Sequence, residues 1–124
     1  MKLRIHGNSL RLRVSRSDVA RLLRDGRIEE TIHFAPDAGL TYALQHAPST
    51  EPISLKHSGQ TVTVLLSTEA ATRWAGSDEV GIYGHAESGN GPLELLVEKD
   101  FACIGGAHPS DEDAFPNPKA DPAC

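Results

Sequence analysis

From Lys2 to Val14 the chain alternates apolar and polar residues in two runs, "KLRIH" and "SLRLRV", separated by Gly7-Asn8. Period-two alternation puts successive side chains on opposite faces, so each run predicts a half-buried strand, and the pair predicts a hairpin. Ser15 followed by Asp18 has the spacing of a helix capping box. Val19, Leu22 and Leu23 then fall on one side of a two-turn helix that Asp25-Gly26 ends. "RIEETIHF" predicts a strand offering Ile28, Ile32 and Phe34 to the core, and "LTYALQH" returns beside it. The same order recurs as "ISLKH", "QTVTVLLS", a helix over "TEAATRWA", "EVGIYGH" and "LELLVEKDF".

Setting Gly7 over Gly59 gives an offset of 52 residues. Leu3 then meets Leu55, Leu10 meets Val62, Leu12 meets Val64 and Val14 meets Leu66. Ser15 meets Ser67, Leu22 meets Trp74 and Ile28 meets Val80, and His33 falls on His85. A shared inward register with drifting surfaces is what an old duplication leaves. The expected fold class is mainly β with two short helices, an internally duplicated ββαββ unit. One half alone would leave a sheet face bare, so two halves related by a pseudo-two-fold axis should close a small β-barrel. The expected organisation is one barrel domain over residues 1–102, with repeats at 2–46 and 53–99, and a tail at 103–124. Pro48 and Pro52 bracket the junction.

The stretch "GNSLRLRVSRSDVARL" resembles the swapped-hairpin domain of AbrB- and MazE-like DNA-binding proteins over residues 3–44. That resemblance implies a swapped-hairpin barrel and basic residues of the first two strands, here Arg4, Arg11 and Arg13, laid on nucleic acid. Ser15 stands where those proteins carry proline. They close the barrel with two chains, whereas this chain holds both copies. The second copy has Lys56, Thr63 and Leu65 in place of the three arginines, so a symmetric basic surface is lost. Along its whole length the chain also resembles a family of small bacterial proteins known only as a domain of unknown function. "GNSLRLR", "VEKDFAC", "FPNP" and the last cysteine carry that likeness, which implies no activity.

Charge sharpens the picture. The net charge is −5, yet residues 1–27 hold eight of the twelve basic residues and only two acidic ones. A basic face attracts anions whatever the total charge, so a nucleic-acid, anionic or acidic-protein partner is expected to use residues 2–27, with Arg16 beside the strand arginines. No run is long and apolar enough to serve as a signal peptide or a membrane span, so a cytoplasmic chain with no membrane partner is expected, as a monomer or weak homodimer.

No nucleophile elbow, phosphate loop or zinc-protease motif is present, and an enzyme is the least supported class. "GHAESGNG" lacks the lysine and following helix of a phosphate loop and reads as a hairpin turn. The tail holds both cysteines. Cys103, His108 and Cys124, with Asp111 or Asp113, offer thiolate, imidazole and carboxylate donors to Zn²⁺ or Cu(I). Metal binding or thiol chemistry there is the leading functional expectation, and a nucleic-acid or anion-binding surface on Arg4, Arg11, Arg13 and Arg16 the alternative. A Cys103–Cys124 disulfide competes with the metal and requires an oxidising compartment.

Overall fold

The structure is a computed structural model that describes residues 1–101, 113 and 115. The expected elements form in the expected order. They are β1 (Lys2–His6), β2 (Ser9–Val14), α1 (Arg16–Asp25), β3 (Arg27–Ala35) and β4 (Ala38–Ala47), then β5 (Ile53–Ser58), β6 (Thr61–Ser67), α2 (Thr68–Ala75), β7 (Gly81–Glu87) and β8 (Pro92–Lys99). Gly7 and Gly59 open the two-residue turns of the first and third hairpins at φ of 55° and 57°. That is backbone an L-residue rarely adopts, which is why glycine sits there.

Each helix starts on a serine that accepts from the amide three residues on. In α1 the box is reciprocal, because Asp18 returns a carboxylate oxygen to the Ser15 N–H at 3.0 Å. In α2 Ala70 replaces the aspartate, so Ser67 caps alone.

The hairpins do not stay with their own half. One sheet runs β1-β2-β8-β7 and the other β3-β4-β6-β5. At the centre of each, strands from opposite halves run parallel, β2 with β8 and β4 with β6. Exchanging β1–β4 for β5–β8 turns one strand order into the other. The backbone bonds follow suit. Glu94 N–H donates to Asn8 O as Thr41 N–H does to Gln60 O, and Lys99 N–H donates to Val80 O as His46 N–H does to Gly26 O.

These matched bonds correct the single offset of 52. It holds for the first hairpin and the helix start. Past the helix, however, the ladders match Ile28 with Ile82 rather than Val80, and Leu44 with Val97. The segment between α2 and β7 is longer than the lone Gly26 between α1 and β3, and this shifts the register. His33 and His85 are therefore not at equivalent positions.

Both sheets and both helices feed one core. Leu12, Val14, Leu22, Leu44, Val64, Leu66, Trp74, Leu95 and Val97 are fully buried. Leu23 of α1 is exposed beside the buried Val19 and Leu22, and Ile32 and Phe34 of β3 are exposed because the β3–β4 hairpin runs on past the core. Lys99 also points inward. Its ammonium donates to the Ser77 carbonyl at 2.6 Å and sits over the rings of Trp74 and Phe115.

The expected closed barrel is not formed: the two sheets remain separate four-stranded ladders. The reason lies at the seams. Where β5 and β7 meet, Ile53 presses its side chain onto Gly84, and its Cγ2 leaves no room for a Cβ there. Side-chain packing thus fills the gap that a ladder would close. At the other end of the chain's strand order, the Met1 amino group, just before β1, pairs with Glu30 of β3 at 3.2 Å and with the buried Asp18 at 2.9 Å.

Two outcomes follow from the seams. Gly84→Val should lower the chemical-denaturation stability by about 1–3 kcal/mol through overpacking, and Ile53→Ala in the same chain should recover part of the loss. Unchanged stability on Gly84→Val would show that the seam is loose. Asp18 titrates at about 2; burial pushes it up, but bonds from the Ser15 N–H, the Met1 amine and Arg21 outweigh that. A depressed carboxylate stabilises above its unfolded value of 3.8, and the contribution is lost as pH falls towards 2. Asp18→Asn should therefore reduce stability at pH 6 and flatten the decline between pH 4 and pH 2, as followed by denaturant titration.

Candidate anion-binding face

Alternation along β1, β2, β8 and β7 leaves one side of the first sheet facing away from the core. The ladder registers arrange that side as a grid. Across the strands, one row is Lys2, Arg13, Glu98 and Gly81; the next is Arg4, Arg11, Leu96 and Tyr83; the third is His6, Ser9, Glu94 and His85. Three of the four arginines read from the sequence thus come together on neighbouring strands. Arg16 does not join them, since it opens α1. Among the described residues no carboxylate lies within ion-pair distance of Arg4, Arg13 or Arg16.

Arg11 is held rather than free. Its Nε lies 3.0 Å from Glu98 Oε1, an ion pair that ties the side chain to β8. Glu98 also accepts from the Tyr83 hydroxyl at 3.0 Å. Burial raises the Tyr83 phenol, and the Glu98 carboxylate adds to it, so the group is pushed up to about 12 and stays neutral. Lys2 reaches past the sheet end to Asp100 at 2.8 Å.

The face is not flat. Arg4, His6, Ser9, Arg11, Glu94 and Leu96 line a depression of about 220 Å³. A second, lined by Tyr83, Gly84, His85 and Leu96, adjoins it along Glu94 and Leu96. The outer side of the other sheet contrasts with this. There Arg27 lies across Thr63 and Gln45 and pairs with Glu29, and Thr31 bonds Thr41, so its only other cation on the grid is Lys56. The first sheet gathers its four cations on β1 and β2, with Glu87, Glu94 and Glu98 on the neighbouring β7 and β8.

The sequence reading missed Glu98, Tyr83, Leu96 and His6 as members of this face. Alternation within β1, β7 and β8 places each on an outward side, but nothing local says that β8 runs beside β2.

Of the expected metal donors, Cys103, His108, Asp111 and Cys124 lie outside the described residues. Asp113 is described, and its carboxylate accepts from the backbone and hydroxyl of Ser17 at the start of α1. Those bonds lower its proton affinity. Nearby, Phe115 donates its N–H to Asp100 O and packs edge-on against Phe101 at 6.1 Å. Among the described residues no group of three or more His, Cys, Asp or Glu is placed to hold a metal ion. Among the same residues no helix is long and apolar enough to cross a membrane.

No curated protein and no solved structure matches the chain. A family model does, over residues 1–119, and the chain belongs to that family, DUF7009, a family of unknown function.

Proposed function

We propose that the protein is a binding module for polyanions, nucleic acid among them, and that the outer side of the β1-β2-β8-β7 sheet is its contact surface. The observation that carries this reading is the register of β1 on β2, which stacks Arg4 beside Arg11 and Lys2 beside Arg13. Four cations within two strands make a locally positive strip, which Asp100 on Lys2 offsets in part. Glu98 offsets part of it while orienting Arg11, so the charge is directed rather than diffuse. The halves of this chain read as copies of one ancestral ββαββ unit, a reading supported by their matched strand orders and ladder bonds. On that view one copy kept or gained the arginines and the other did not.

Binding of a labelled oligonucleotide should weaken as salt rises, with a log–log slope near −2 for about three phosphate contacts. The double variant Arg4→Gln, Arg13→Gln should weaken binding at least about tenfold at low salt. Its stability should change by no more than about 0.5 kcal/mol, because both side chains are exposed. Salt-insensitive binding, or none at micromolar protein, would end this reading.

A second reading keeps Zn²⁺ or Cu(I) on Cys103, His108 and Cys124, with Asp111 as a further donor. What favours it is that Asp113 and Phe115, which follow Cys103 and His108 in the chain, dock on the body of the protein. Asp113 itself is engaged by Ser17 and is the weakest of the proposed donors. Untagged protein should carry one equivalent of metal, and Cys124→Ser should lose it. Metal-free protein that takes up no Zn²⁺ on equilibrium dialysis removes the proposal.

A further inference from the structure

We infer that the polyanion this face takes is a single-stranded nucleic acid, with one phosphate seated between Arg4 and Arg11 and a neighbouring base laid on the ring of Tyr83 beside Leu96. The inference rests on the anion-binding reading above and adds the part of the ligand that is not charged.

The two adjoining depressions differ in chemistry. On the β1–β2 side the lining donates, through Arg4, Arg11 and His6. On the β7–β8 side it is Tyr83, Gly84, His85 and Leu96, an aromatic ring and aliphatic surface with an imidazole and no arginine or lysine. Glu94 stands between them and is common to both. Since Glu94 borders both, it is the Arg4 and Arg11 guanidiniums that assign the phosphate to the β1–β2 side. Strands about 4.8 Å apart put Tyr83 two strands, or roughly 10 Å, from Arg11. That is within the span of one nucleotide, from its phosphate to the far edge of its base.

Tyr83 is prepared for this contact. It is 51% exposed, in a row otherwise made of long side chains. Its hydroxyl reaches back along β7 to Glu98, passing within 2.9 Å of where a Cβ on Gly81 would lie. Glycine at 81 therefore lets the ring lie along the sheet instead of standing off it. The same Glu98 carboxylate holds Arg11, so platform and phosphate ligand are fixed by one group. Every base offers a π-face, so such a platform selects single strands over duplex without requiring a sequence. Inorganic polyphosphate, having charge and no bases, has nothing to place on it.

The test compares a twelve-residue oligo(dT), a duplex of the same length and inorganic polyphosphate, each against native protein, Tyr83→Ala and Tyr83→Phe, by fluorescence anisotropy with unlabelled competitors. The native protein should prefer oligo(dT) to both others. Tyr83→Ala should weaken oligo(dT) about fivefold to tenfold, the loss expected of one stacked base, and leave polyphosphate unchanged. Tyr83→Phe keeps the ring and should keep the preference. If polyphosphate binds as well as oligo(dT), the inference falls while the anion-binding reading stands. If Tyr83→Ala weakens both ligands equally, Tyr83 acts only through Glu98 and Arg11, and the inference falls. If none of the three ligands binds, both readings fall together.

Discussion

The parallel pairing of β2 with β8 and of β4 with β6 is the contact on which the rest of the molecule depends. A hairpin has two edges and one buried face, and it cannot satisfy either by itself. Each half of this chain brings two hairpins that do not pair with each other. Instead each is completed by a hairpin of the other half, and the core residues Leu12, Val14, Leu95 and Val97 meet only because of that exchange. The helices come second. They cover apolar surface that the exchanged sheets have already defined, with Leu22 and Trp74 as the large side chains that fill it.

The elements were legible in the residues because their signals are local. Turn glycines at 7 and 59, capping serines at 15 and 67, and the period-two runs between them place most element boundaries to within a residue or two. What stayed hidden was nonlocal. A gapless self-comparison matched Ile28 to Val80, and only the ladders show that the equivalent residue is Ile82. The closed barrel was expected from hydrophobic pattern alone, which cannot distinguish a seam closed by hydrogen bonds from one filled by Ile53 against Gly84. Likewise Arg4, Arg11 and Arg13 could be picked out by charge, but their organising partner Glu98 lies on a strand brought alongside only by the exchange.

Electrostatics and packing meet at Glu98 and Asp18 in opposite ways. Asp18 is buried, and its bonds to Ser15, Arg21 and the Met1 amine hold together the start of α1 and the edge of β1. Glu98 faces outward, and its two bonds shape a surface rather than a core. On that surface two of the four cations of β1 and β2, Lys2 and Arg11, are paired with carboxylates, and Arg4 and Arg13 have no carboxylate at ion-pair distance among the described residues.

The exchange of hairpins also governs when the fold can exist. Leu10 pairs with Leu95, close to opposite ends of the run of described residues 1–101. Contacts so distant in sequence raise contact order, and folding slows accordingly. During synthesis the first half emerges with one edge of β2 and one edge of β4 lacking a partner, two central strands presenting open edges to the surroundings. Neither sheet is complete until β6 and β8 have left the ribosome. The native state is therefore reached only after nearly the whole chain has been made, and until then the nascent half depends on dilution or on chaperones to avoid pairing with another copy of itself.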